Sequence, residues 1–435
     1  MLFTGDILLA RQVNVERRHT GRSPWDSLAA LFAHADWVGG NLEGDVGEDS
    51  TCVARDRALC FAFSDDTPAL LATAGFNALT VENNHAGDLG PGARASTIRA
   101  LGDAGVMGVD FDDSPRFTRI GDLTVAVVAV TTIPDAGGRS QTIPSVSVAQ
   151  RLRLAHTLAN LVVVSIHWGN ELQDWSSASQ RTAAAWLVEH GADVVVGHHP
   201  HVVQRPDCVD GHPVFYSLGN HVFDQKYPET KAGLIADCRV LGGWMRCGGI
   251  RTHTRRGSAM PVVVGASNNV TLADCSVRVH PALVISGFTL RPRPWSSKDS
   301  AGIALEGWRN GARRWTTRPV DLVSVATGIH GDGSEPLLLA LERHPSAMDG
   351  EVGIRPHVYQ VGSGGMIAKW RGTALAWPLL DAVVDREGGL CALHRGDSFL
   401  RPNPSIKSTR TMRYQWNGFG FSASLDSAGM CETAF

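Results

Sequence analysis

Val194-Val195-Val196-Gly197-His198-His199-Pro200-His201-Val202 decides how this chain is read. Three β-branched residues specify a buried strand, a glycine permits a sharp turn, and three imidazoles follow within four positions. Neutral imidazole is the commonest metal ligand, and layered α/β folds keep their sites at the C-terminal ends of parallel strands. In an extended segment His199 and His201 point the same way, so the rings can grip one ion or two neighbouring ones. A solvated histidine-rich turn has the same composition, so the decision rests on what the other strands deliver.

Working outward, a buried strand over Leu161–Ile166 delivers His167-Trp168-Gly169-Asn170-Glu171, and a helix from about Ser177 to His190, stopped by Gly191, joins it to the histidine stretch. Further upstream come a buried strand over Thr124–Val130 and a helix around Ala93–Ala104. Ala78-Leu79-Thr80-Val81 is a strand running into Glu82-Asn83-Asn84-His85. Thr67 (N-cap), Pro68 and Gly75 bracket a helix before it. Asp36-Trp37-Val38 leads to Gly40-Asn41-Leu42-Glu43, and Leu2-Phe3 leads to Gly5-Asp6. Strands alternating with helices specify a layered α/β fold over residues 1–225. Five strands end in a metal-competent residue: Asp6, Glu43, Asn84 with His85, His167, and His199 with His201. One aspartate after a glycine is a common turn; five such ends on one sheet edge converge in space. Val214–Leu218 and Gly219-Asn220 repeat the strand-then-turn event, and Asn220 and Asp224 either orient the histidines from behind or shape the turn.

At 435 residues the chain exceeds one ordinary core, and two domains are expected, 1–294 and 295–435. A net charge of -3 with no basic run excludes a nucleic-acid binder that works through a basic surface. No apolar stretch approaches the roughly 20 residues of a membrane span. The chain opens directly on strand and motif, without a charged lead or apolar core, which predicts a cytoplasmic protein. Eight scattered cysteines with no C-x-x-C predict reduced thiols, Cys52 and Cys60 being the one pair able to bridge across its own loop. Residues 226–294 read as further strands of the first domain. Beyond them, Leu338–Arg343 is echoed by Leu390–Arg395, and each is followed by a Trp-x-Gly step, Trp370-Arg371-Gly372 and Trp416-Asn417-Gly418. Trp308-Arg309-Asn310-Gly311 is an earlier relic of the same step. β-hairpin units of roughly 50 residues are implied, too few to close a propeller. Such a domain either packs on the catalytic one or completes itself as a homo-oligomer.

Phe3-Thr4-Gly5-Asp6, Gly40–Glu43, Glu82–Asp88, Ser165–Glu171, Gly197–Val202 and Ser217–Asn220 together resemble the CapA family of poly-γ-glutamate capsule synthesis proteins, within the calcineurin-like metallophosphoesterase superfamily. The resemblance covers residues 1–225. It implies a four-layer α/β/β/α sandwich with an appended β-rich C-terminal domain, holding one or two divalent ions (Mn, Fe or Zn). Asp6, Glu43, Asn84, His167, His199 and His201 correspond to the metal ligands, and His85 to the histidine that meets substrate or leaving group. Two departures stand out. Asp6 lacks the partner histidine of Asp-x-His, being followed by Ile7-Leu8, so Glu171 or His198 must supply a missing ligand. The Asn-His-Glu motif becomes Asn84-His85-Ala86, leaving Asp88 to orient His85. The implied activity is hydrolysis by metal-activated water of a phosphoester, or of a γ-glutamyl or other amide bond, in a small-molecule or polymer substrate. The alternative is a non-catalytic metal-binding subunit of a polymer or peptide synthetase complex.

Overall fold

The computed structural model describes residues 1–48, 51–53, 59–112, 115–255, 257–265, 270–272, 275–296, 301–330, 335–345, 350–372, 375, 377–397, 403, 405, 407–424 and 431. It is mixed α/β, and among the described residues no α-helix follows Glu189. Two compact units are present: Met1–Asp112 with Thr118–Ser145 and Leu161–Val279, and Asp113–Phe117 with Val146–Asn160 and His280–Phe435.

In the first unit β1 (Leu2–Ile7), β2 (Val38–Leu42), β3 (Ala78–Thr80) and β4 (Met107–Val109) lie side by side, all parallel. A second sheet contains β5 (Leu123–Thr131), β6 (Leu161–His167), β7 (Val194–His198) and β8 (His212–Phe215), again parallel neighbours in that order. β9 (Asn220–Val222) returns to the first sheet and pairs with β1. The hairpin of β10 (Ala232–Leu241) and β11 (Trp244–Thr254) extends that sheet antiparallel to β1.

The period-2 rule explains the sharing of the core. Val125, Val127, Leu161, Val163, Val194 and Val196 face one apolar cluster with Phe3, Ala78 and Val109 of the first sheet. Their neighbours Ala126, Val128, Val162, Val164 and Val195 are buried on the opposite face. Strands covered on both faces read as unbroken apolar runs, which is why these were visible in sequence. The other face of the first sheet packs Ile7, Leu42, Leu79 and Val81 against Leu28, Phe32, Leu71 and Leu101. Helix Thr67–Ala74 carries Pro68 in its first turn and stops at Gly75 at φ 100°, as expected, although Asp66 rather than Thr67 is its N-cap. Helix Ala178–Glu189 starts in a capping box, Ser177 accepting from Gln180 N while the Gln180 side chain answers Ser177 N.

The second unit is antiparallel. Strands from Val284 to Thr316 form a four-stranded sheet, and those from Asp321 to Ser424 an eight-stranded one. Both copies of the Leu-rich echo are strands of this larger sheet, within Pro336–Pro345 and at Leu390–Arg395. Trp370 and Trp416 each pack 5.3 Å from Phe421. Helix Val146–Leu158 belongs to this unit: Gln150 donates to Leu380 O at 2.6 Å and Arg153 pairs with Asp381.

The cysteines overturn their expectation. All eight are paired, as Cys52–Cys60, Cys208–Cys275, Cys238–Cys247 and Cys391–Cys431. Cys238 and Cys247 face each other across the β10–β11 hairpin, and Cys208 and Cys275 are 67 positions apart. Scatter in sequence hid proximity in space, and pairing on this scale is a mark of oxidising compartments.

Candidate metal centre

Strand register gathers the site. Asp6 on β1 lies opposite Asn41 of β2 on one side and Asn220 of β9 on the other, and His198 of β7 lies opposite His167 of β6. Gly197 is not the turn residue the sequence suggested. It lies inside β7, where a Cβ would sit 2.0 Å from Tyr216 O, so only glycine permits the approach. The turn comes from the histidines. His199 has φ 93° and His201 φ 58°, so the segment is not extended, and left-handed backbone aims both rings inward. Such conformations cost free energy in a non-glycine residue and concentrate at functional sites.

Asp6 is fully buried and accepts from Asn41 Nδ2 at 2.9 Å and from His199 N at 3.2 Å. His198 Nδ1 and His201 Nδ1 lie 3.2 and 3.3 Å from its two oxygens. His201 Nδ1 also meets Asn220 Oδ1 at 2.9 Å, while its Nε2 is 3.6 Å from Glu43 Oε1. His167 Nε2 is 2.8 Å from Asn84 Oδ1, and the His167 and His199 rings are 4.7 Å apart. Two groups have ligand atoms within 4.8 Å of one another: Asp6, Glu43 and His167; and Glu171, His199 and His201. His85 Nδ1 bonds Asp88 at 2.8 Å, and its Nε2 is 3.9 Å from Glu43 Oε1.

Hydrogen-bond accounting leaves buried polar atoms of this pocket unpaired. Both carboxylate oxygens of fully buried Glu43 and Nδ1 of His199 lack a hydrogen-bond partner. An unpaired buried carboxylate is expensive, and a cation among these oxygen and nitrogen donors resolves it. The donor set therefore fits a divalent ion. Burial raises the Glu43 carboxyl well above its usual range. Burial would also raise Asp6, but hydrogen bonds from His198 and His201 outweigh it and hold Asp6 well below. Burial and then His199 hold His167 well below its ordinary value. His199 falls to about 4, through burial first and then His201. Burial would lower His201 too, yet the Glu43 and Asp6 carboxylates carry it up to about 9.

Of the candidates from sequence, Asp6, Glu43, Asn84, His85, His167, His198, His199 and His201 share this pocket, with Asn220 behind His201 and Asp88 behind His85. Exposed Glu171 reaches His199 and His201 from the rim. Asp224 does not back a histidine: it pairs with Arg11 and accepts from Gln12 N at 3.2 Å, tying down a helix start. Sequence reasoning passed over several residues. Asn41 donates to Asp6, and Asn83 donates to Asn41 Oδ1 at 3.1 Å and Leu42 O at 2.9 Å. Phe61 stacks on His85 at 3.7 Å and its N–H holds Asp88 at 2.9 Å. Asn41 carried a signal, since asparagine inside a strand runs against β-propensity; Phe61 carried none.

Residues 1–225 match the family described as bacterial capsule synthesis protein PGA_cap. A capsule biosynthesis protein CapA of Bacillus anthracis is 28% identical over 320 residues, covering 69% of this chain and 75% of that protein. A PGA biosynthesis protein CapA of Bacillus subtilis is 28% identical, covering 53% of this chain and 64% of that one. A probable polyglutamine synthesis accessory protein of Mycobacterium tuberculosis is 25% identical, covering 55% and 70%.

Proposed function

The chain belongs to the bacterial capsule synthesis protein family PGA_cap, and from that premise we propose that it is a metal-dependent hydrolase acting in poly-γ-glutamate or related cell-surface polymer metabolism. The observation that carries the reading is Glu43, a fully buried carboxylate without hydrogen-bond partners, with His201 Nε2 at 3.6 Å and His85 Nε2 at 3.9 Å from its Oε1. We read the first unit as a four-layer α/β/β/α sandwich, supported by two sheets that share one core. Asp6, Glu43, Asn84, His167, His199 and His201 would hold one or two ions, and Glu171 would complete the set. Mixed oxygen and nitrogen donors suit Mn²⁺, Fe or Zn²⁺. A divalent ion there supplies Lewis acidity and acidifies water into the neutral range. Asp88 accepts from His85 Nδ1 and orients the ring, so that the doubly protonated imidazole would give its Nε2 proton to the leaving group of a phosphoester or γ-glutamyl amide and keep the Nδ1 hydrogen directed at Asp88. Asn220 holds the His201 ring in place. The four disulfides support a place outside the reducing cytosol; among the described residues no helix is long and apolar enough to cross a membrane.

A second reading is a non-catalytic assembly subunit, favoured by the word accessory in the mycobacterial relative's name. The test uses metal-stripped protein reloaded with Mn²⁺, with a chromogenic phosphodiester and a γ-glutamyl anilide as substrates. Turnover that returns with Mn²⁺ and falls ~10²- to 10⁴-fold in His85→Ala supports the hydrolase. Tight metal with no turnover of either substrate leaves the assembly subunit.

A further inference from the structure

The second unit holds a smaller histidine cluster of its own. Strands Pro336–Pro345 and Val352–Gly362 are antiparallel with Ala340 opposite His357 and Glu342 opposite Arg355. Side-chain alternation then places Glu342, His344, His357 and Tyr359 on one face. His344 Nε2 lies 3.2 Å from His357 Nε2. What those two nitrogens carry follows from counting hydrogens. His344 Nδ1 is 2.8 Å from Pro345 O, an acceptor only, so that nitrogen bears the hydrogen. Tyr359 donates its hydroxyl to Glu342 Oε1 at 2.8 Å. His357 Nδ1 sits 3.2 Å from the same carboxylate oxygen and 3.0 Å from the Tyr359 hydroxyl oxygen, so it too must donate. In its neutral form each ring therefore turns its lone-pair nitrogen, Nε2, toward the other.

Two facing lone pairs need a positive charge between them. A ring N–H on a carboxylate and another on a backbone carbonyl are the supports that ligating imidazoles use. Zinc–nitrogen bonds of about 2.0–2.1 Å in a tetrahedral site put neighbouring nitrogens about 3.3 Å apart, close to the spacing here. His357 is 7% exposed and His344 half-buried, which leaves an approach from solvent.

We propose that His344 and His357 form a second transition-metal site, taking Zn²⁺ or Cu²⁺ through their Nε2 atoms with water in the remaining positions. The site is independent of the hydrolase reading. The test is equilibrium dialysis of the metal-stripped full chain against Zn²⁺, with Cu²⁺ electron paramagnetic resonance as the second readout. Wild type is expected to take up one more equivalent of Zn²⁺ than His344→Ala, and the Cu²⁺ spectrum to lose one nitrogen-coordinated species in that variant. His344 lies at a strand end on the surface, so His344→Ala keeps the fold; His357→Gln should show the same loss. Asp6→Asn, which disables the first-unit pocket, should leave this equivalent in place, so the two sites fail separately. Equal uptake by wild type and His344→Ala would overturn the proposal and leave a proton shared between the rings.

Discussion

His199 in the first unit and His394 in the second are both buried histidines that burial drives down to about 4, and they differ in how their ring nitrogens are occupied. His394 is fully accounted for: Nδ1 meets Trp377 O at 3.0 Å and Nε2 meets the Tyr414 hydroxyl at 3.0 Å. His199 sits on left-handed backbone with Nδ1 unbonded, in the pocket where the Glu43 carboxylate also lacks partners. Residue type and burial are the same in both places. Unfinished hydrogen bonding is what separates the two, and a buried polar atom without a partner calls for an explanation such as a bound ion.

The comparison breaks or sharpens in four ways. The largest effect is expected from Asp6→Asn, which removes the central carboxylate. Metal uptake by the first unit should be lost and turnover fall by at least ~10³-fold, with the far-ultraviolet circular dichroism unchanged; retained metal at full stoichiometry would break the contrast. Asn220→Ala removes only the support of the His201 ring and should weaken metal binding ~10- to 100-fold, measured by competition with a chelating dye. Tyr414→Phe, by contrast, should cost about 1–3 kcal/mol in urea unfolding while metal and turnover stay at wild-type values, since it orphans a structural imidazole.

An effect of similar size is in pH. The folded His394 titrates near 4 against about 6.5 in the unfolded chain, so its contribution is intact above about pH 6.5. As pH falls from there toward 4 the unfolded chain gains a proton that the native ring refuses, and stability drops by about 1–3 kcal/mol. Unfolding midpoints at pH 7.5 and 5, compared between wild type and His394→Phe, isolate this share. An identical pH dependence in the two proteins would mean that His394 is protonated when folded.

How much of this was legible beforehand follows the physics of each element. The strands of the second sheet were readable because Thr124–Val130, Leu161–Ile166 and Val194–Val196 are buried on both faces, so nothing interrupts the apolar run. The convergence of the candidate side chains was readable because parallel strands deliver their C-terminal ends to one edge. Three things were not. Left-handed backbone at His199 and His201 is a tertiary outcome, since positive φ is uncommon in any non-glycine residue. The partners of Cys208 and Cys391 lie 67 and 40 positions away, and chain separation says nothing about which thiols meet. The roles of Asn41, Asn83 and Phe61 depend on a second row of contacts that has no spacing of its own.

The most direct test of the central claim is anomalous diffraction from crystals of the oxidised protein soaked in Mn²⁺. The account predicts one or two peaks within coordination distance of Glu43, Asp6 and the His199 and His201 rings. A pocket that stays empty at millimolar Mn²⁺ and at millimolar Zn²⁺, with Glu43 protonated and bonded to a neighbour instead, would contradict it.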